Sequence, residues 1–137
     1  MIIPVVGFDD DVALFAANNL GVVLFPPYTT IGLSDESGAL KGAAVYREFT
    51  GTSAEITLYA PGMMKKGILQ TVLRYPFNEL GVLGLLARTK RSNTDMCRML
   101  PNVGFKYKAT LENHFGPERG DDAILFRIDR TGAAKWL

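Results

Sequence analysis

The chain holds a single cysteine, Cys97, and a single histidine, His114. One of each excludes an internal disulfide and a metal cage built from several histidines, so no metal is expected. Cys97 falls in a short helical stretch, where a lone cysteine more often serves as a small buried hydrophobe than as a nucleophile. His114 falls in a loop, where a lone histidine touches either solvent or a ligand. The other residues able to do chemistry come as three short patterns. Glu55, Thr57 and Tyr59 alternate with Ile56, Leu58 and Ala60, which puts the polar group on one face of a strand and the apolar group on the other. Lys65 and Lys66 precede Gly67 at the start of a helical run, where free backbone N–H groups favour negative charge; the pair is either a phosphate contact or a solvated basic pair. Ser92 or Asn93 stands where a short helix begins and suits an N-cap.

These residues need elements to hold them. Asp9-Asp10-Asp11 supplies N-cap chemistry before an apolar run ending at Leu20, with Gly21 as its C-terminal stop, which predicts a first helix. After Pro26-Pro27, three β-like runs follow, Thr29 to Leu33, Leu40 to Phe49 and Ala54 to Ala60, separated by Asp35-Glu36-Ser37-Gly38 and Thr50-Gly51-Thr52-Ser53; this predicts an antiparallel meander. From Gly67, Ile68, Leu69, Val72, Leu73, Phe77 and Leu80 recur at helical spacing, and Pro76 should bend that helix or interrupt its last turn. Val82 to Thr89 reads as a buried strand, parallel to Ala54–Ala60 through the helical crossover. A short helix through Leu100, stopped by Pro101, and a closing hairpin of Phe105 to Leu111 with Ala123 to Ile128 complete the order. The fold class expected is α+β.

At 137 residues, with 47% hydrophobic and 21% charged residues, the chain suits one domain, residues 1–137, with a core of its own. Fifteen Lys and Arg against fourteen Asp and Glu leave +1, which gives no general claim on nucleic acid or membrane; any anion site is local. The first residues carry no cationic leader, no window approaches the ~20 apolar residues of a membrane span, and one cysteine suits a reducing cytoplasm.

The order of elements, together with Tyr75-Pro76-Phe77-Asn78-Glu79-Leu80-Gly81-Val82, Asn93 ahead of Val103-Gly104-Phe105, and Gly120-Asp121-Asp122-Ala123-Ile124-Leu125-Phe126, resembles the GNAT superfamily of N-acetyltransferases. The YPF segment and Trp136 are similar to a branch of small GNAT proteins, many encoded by bacteriophages, for which the compartment would be the host cytoplasm. The resemblance runs from about Leu40 to Leu137. It implies a central mixed, mostly antiparallel sheet with splayed parallel central strands and helices on both faces.

The resemblance also implies acetyl-CoA as cofactor. Its pantetheine arm would pair with Leu58, Tyr59 and Ala60, and its phosphates would sit at Met64, Lys65, Lys66, Gly67 and Ile68. Met64 and Leu69 depart from the family's phosphate motif, and Leu69 is expected to crowd the phosphate. Glu55 would be the general base, with the Tyr59 region polarising the carbonyl and Asn93 at the strand tips touching the cofactor arm. Phe25 and Tyr28, flanking the two prolines, and His114 would border the acceptor. The usual tyrosine acid, four residues before Gly104, is Leu100 here, and the serine that other relatives carry is Met96. Trp136 should pack on the body or on a second subunit, so a homodimer is one expectation.

Two functions follow. One is an N-acetyltransferase acting on a protein N-terminal α-amine or a small amine. A lysine costs about 4.6 kcal/mol to deprotonate at pH 7 and an α-amine only about 1 kcal/mol, so weak acid–base equipment favours the α-amine. The other is a catalytically degenerate protein of this fold that binds a host or self partner.

Overall fold

The computed structural model describes residues 1–137. It begins with a strand not apparent in the sequence, β1 (Ile3–Val5), too short and too broken by Pro4 to show a period. Helix α1 (Asp9–Leu20) follows and ends at Gly21, whose φ of 65° is the left-handed stop expected of a glycine there. The aspartates do not cap it. The N-cap is Phe8, with no side-chain cap bond. Asp9 instead accepts from the backbone N–H and hydroxyl of Thr30, at 3.0 and 2.9 Å, and Asp10 accepts from the Tyr28 hydroxyl at 2.6 Å. The acidic turn thus ties the helix to the sheet.

The meander forms as β2 (Tyr28–Ser34), β3 (Leu40–Arg47) and β4 (Ser53–Tyr59), each antiparallel to the last, and β1 pairs with the outer edge of β2. Helix α2 (Lys66–Arg74) runs into a π-helical turn, Tyr75–Glu79, where Pro76 removes a donor and Leu80 N–H reaches back to Tyr75 O. This is the interruption Pro76 predicts. The crossover returns as β5 (Gly84–Lys90), parallel to β4. Helix α3 (Thr94–Val103) passes through Pro101 and stops at Gly104, so the expected stop at Pro101 is one turn early. Pro101 forgoes the bond to Cys97 O without ending the helix, and the chain turns only at Gly104, with φ of 129°, whose N–H reaches Leu100 O. An added Cβ at Gly104 would stand 2.6 Å from Gly132 O, which explains the glycine of the Gly-Phe pair.

The hairpin β6 (Lys106–Leu111) and β7 (Ala123–Asp129) closes the sheet in the order β1-β2-β3-β4-β5-β7-β6. A last short helix, α4 (Arg130–Ala133), leads into a 3₁₀ turn holding Trp136, whose indole N–H donates to Val103 O at 2.8 Å. Trp136 therefore packs on the body.

Side-chain alternation divides the sheet into two faces. Ala43 and Val45 receive Val12, Ala13 and Ala16 of α1 on one face. On the other, Tyr46, Ile56 and Leu85 meet Leu69, Val72 and Leu73 of α2, together with Leu100 and Val103 of α3. The Tyr46 hydroxyl, fully buried, bonds to Val72 O and locks α2 to the sheet. Helices thus cover both faces, and the α+β class stands.

Candidate active site

Strands β4 and β5 pair only where Ser53, Ala54 and Glu55 face Gly84, Leu85 and Leu86. Beyond that point β4 continues to Tyr59, bonded to β3, and β5 continues to Lys90, bonded to β7. Each strand therefore turns one unpaired backbone edge toward a gap between them. Such an edge holds donors and acceptors for an added extended chain. The gap is a cavity of about 310 Å³, walled by Leu58, Leu69, Ala87 and Leu100 among others. A second hollow of about 550 Å³ adjoins it, shares Leu58, Tyr59, Met64 and Asn93, and runs over Ala60 and Lys65 to Met99.

Glu55 stands at the vertex where the strands part, on the α1 face, and is 2% exposed. Register places Arg47 opposite it on β3, and Arg88 lies two residues past its β5 partner, Leu86. Arg88 Nη1 is 3.1 Å from Glu55 Oε2 and Arg47 Nη2 is 4.0 Å from Oε1. The charges are paired, but Oε2 is buried with no hydrogen-bond partner. Burial pushes the Glu55 carboxyl above the usual carboxylate range, while Arg88 and then Arg47 pull it part of the way back. A buried carboxylate with a free lone pair and a raised pKa is suited to taking a proton.

Tyr59 borders both hollows, its ring edge-on to Phe15 at 5.8 Å, and is the one phenol on either wall. Asn93 also borders both and caps α3, its Oδ1 accepting from Met96 N–H at 3.3 Å. His114 reaches the inner cavity, edge-on to Phe115 at 4.7 Å. Helix α2 starts at Lys66 with no side-chain cap and no acidic residue in its first turn. A Cβ built on Gly67 would meet nothing within 4 Å, so the helix N-terminus is open to an approaching group. Leu69 does not crowd it: its side chain is buried in the main core and lines the inner cavity. Met64 packs on that core too and borders both hollows.

Phe25 and Tyr28 are not on either wall. Phe25 is 70% exposed, and Tyr28 is spent on Asp10, whose hydrogen bond, followed by burial, holds its hydroxyl pKa above the ordinary value. Val22, Val23 and Leu24, just upstream, line the cavity instead. Ile68 and Lys66 lie away from both hollows, while Lys65 borders the outer one. Cys97 is half-buried, with burial pushing its thiol up against the pull of Arg91, as suits an unreactive residue. Sequence reasoning passed over Arg47 and Arg88. The available signal was a charged residue inside the apolar run Leu85-Leu86-Ala87-Arg88, since a buried strand keeps a charge only with a partner.

A mixed sheet whose parallel central strands part around a cavity, with helices on both faces, is the GNAT N-acetyltransferase fold. Among solved structures, the chain is similar to mutant forms of the spermidine/spermine N-acetyltransferase SpeG from Vibrio cholerae, with a TM-score of 0.76 and 16% identity over 98% of this chain and 96% of that one. A point mutant of the same spermidine N-acetyltransferase gives 0.76 and 15% over 99% and 96%. SpeG in complex with manganese ions gives 0.73 and 16% over 98% and 95%. No protein-family model and no curated protein sequence matches the chain. No helix is long and apolar enough to cross a membrane.

Proposed function

We propose that this chain is an acetyl-CoA-dependent N-acetyltransferase that transfers an acetyl group to a primary amine, either a protein N-terminal α-amine or a small amine. The observation that carries the reading is the parting of β4 and β5 at Glu55, which opens a cavity through the sheet with a buried carboxylate at its vertex. Similarity to solved N-acetyltransferases supports it at the level of the fold.

The residues present fit acetyl-CoA. The unpaired edge of β4 at Leu58, Tyr59 and Ala60 would hold the pantetheine arm, and the open N-terminus of α2 with Lys65 and Lys66 would hold the phosphates. Bound there, the cofactor supplies an acetyl group activated as a thioester. The chain's own residues supply the rest. Glu55 Oε2, free of hydrogen bonds, takes the proton of the acceptor ammonium, directly or through one water. Arg88 and Arg47 keep that carboxylate ionised enough to do so. Backbone N–H groups on the free edge near Leu58 and Tyr59 are donors for a developing oxyanion. Tyr59, the one phenol bordering both hollows, would offer its hydroxyl as a hydrogen-bond donor there. Asn93 holds the start of α3 at the strand tips.

Met64, Leu69 and Leu100, the departures that suggest a degenerate binding protein, are walls of the cavity and part of its core. An apolar lining excludes water and strengthens the charges at the vertex, which favours the enzyme over the binding protein. The setting that suits the proposal is the cytoplasm, of the host if the chain is phage-encoded. Mass spectrometry of acetylated products from a panel of primary amines with acetyl-CoA tests the activity. Product is expected with the wild type and far less with Glu55→Gln; equal rates in the two would remove Glu55 from the mechanism.

A further inference from the structure

The inner cavity is unevenly charged. Arg47, Arg88 and Lys90 line it against a single carboxylate, Glu55. That carboxylate is already shared between the two arginines. Arg47 has one other partner, Glu48 at 3.0 Å, which is 60% exposed at the rim where solvent screens it. Lys90 Nζ reaches only Gly21 O, at 3.4 Å, and stands 5.8 Å from the centre of the Phe115 ring. Neither guanidinium is saturated by the protein: the Nε of each is buried with no hydrogen-bond partner, and the 19% of Arg47 and 32% of Arg88 left exposed belong to side chains that line the cavity. A guanidinium carries five donors, and its preferred partner is a planar or tetrahedral oxyanion held by two of them.

This arrangement discriminates among amines. A polyamine brings a second ammonium that needs a second carboxylate, and the cavity has none to offer; it would meet Arg47, Arg88 and Lys90 instead. An amine that carries its own anion meets the complementary pattern, with the amine at Glu55 and the anion at the guanidinium groups. The acceptor would share this cavity of about 310 Å³ with the acetyl end of the cofactor, which leaves room only for a small molecule. Resting on the N-acetyltransferase reading, we infer that the acceptor is a small amine bearing a carboxylate or phosphate a few bonds from its nitrogen, the anion held between Arg47 and Arg88. The acceptor class thus differs from the spermidine named for the similar structures.

Calorimetric titration of the whole chain without cofactor tests this with matched probes: β-alanine against β-alaninamide, 2-aminoethyl phosphate against ethanolamine, and spermidine. The anionic member of at least one pair should bind about tenfold or more tightly than its neutral match, equivalent to about 1.4 kcal/mol, and more tightly than spermidine. Whichever pair shows the larger difference tells carboxylate from phosphate. Arg88→Gln and Arg47→Gln should each erase most of the preference, Arg88→Lys should keep part of it, and Lys108→Ala, on an exposed side chain that lines neither hollow, should leave it unchanged. Equal binding within both pairs, tighter spermidine, or a preference that survives both glutamine variants would overturn the inference. The wild-type comparison decides even if a variant fails to fold. If acetyl-CoA turnover is found with spermidine but not with the anionic amines, this inference fails while the N-acetyltransferase reading stands; if acetyl-CoA is not bound at all, that reading fails by itself.

Discussion

Arg88 Nη1 lies 3.1 Å from Glu55 Oε2 at the point where β4 and β5 separate, yet the contact is an ion pair and not a hydrogen bond. The arginine therefore stabilises the charge of Glu55 without occupying the lone pair that a proton would take. Burial acts in the other direction and is the larger effect, so the Glu55 carboxyl ends above the ordinary range. The site's pH behaviour follows from that balance.

Turnover should rise with pH along a limb whose midpoint lies above that of an ordinary glutamate, about 4.3, because the base must be ionised. Stability should move the opposite way. The fold binds the Glu55 proton more tightly than the unfolded chain does, so this contribution is fully present below about pH 4.3 and is lost as pH rises through the folded value. Urea unfolding of wild type and Glu55→Gln from pH 4 to 7 should show the wild type losing stability relative to the variant as pH increases. Turnover in Glu55→Gln should fall by about 10²–10⁴ with acetyl-CoA affinity spared.

Arg88→Gln removes the nearer cation and should move the acidic limb of the pH–rate profile to higher pH, because Glu55 is then harder to ionise. Arg88→Lys should bring it part of the way back. An unshifted limb in Arg88→Gln would mean that the arginine does not tune the carboxylate.

The pairing of Glu55 with Arg88 shows how far the sequence could be read. The alternation of Ile56, Leu58 and Ala60 with Glu55, Thr57 and Tyr59 gives a correct strand, because period and turn residues are local properties. So are the glycine stop at Gly21 and the helix break at Pro76. Which cation meets Glu55 depends on the register of three strands, and register is set by packing across the sheet. Asp9 and Asp10 mislead for the same reason. Their types suit capping, but Thr30 and Tyr28 come within reach only once β2 lies under α1. Phe25 and Tyr28 follow that pattern too: an apolar Phe-Pro-Pro-Tyr run reads as a pocket wall, whereas the neighbouring Val22 to Leu24 forms it.

Asn93→Ala should cost about 1 kcal/mol through loss of the cap on Met96 N–H, read as a lower urea midpoint. Asn93→Ser restores a cap oxygen on a shorter side chain. Recovered stability with an undiminished loss of acetyl-CoA affinity would assign Asn93 a contact at the strand tips in addition to its cap.

Replacing Lys65 and Lys66 together by alanine should weaken acetyl-CoA about tenfold and flatten the salt dependence of binding, since both flank the open start of α2. Both side chains are exposed, and cations are unfavourable at a helix N-terminus, so the melting temperature should hold or rise slightly.

Gly104→Ala should be among the most damaging single changes outside the cavity. At a φ of 129° the residue is strained by any side chain, and the new Cβ would stand 2.6 Å from Gly132 O, a backbone atom that cannot swing away. A loss of more than about 2 kcal/mol in urea unfolding is expected.

Thermal unfolding of the whole chain with increasing cofactor tests whether the gap between β4 and β5 receives acetyl-CoA. Saturable stabilisation is predicted, reaching about 2.7 kcal/mol at 100 times the dissociation constant. An unchanged melting curve at millimolar acetyl-CoA would contradict it.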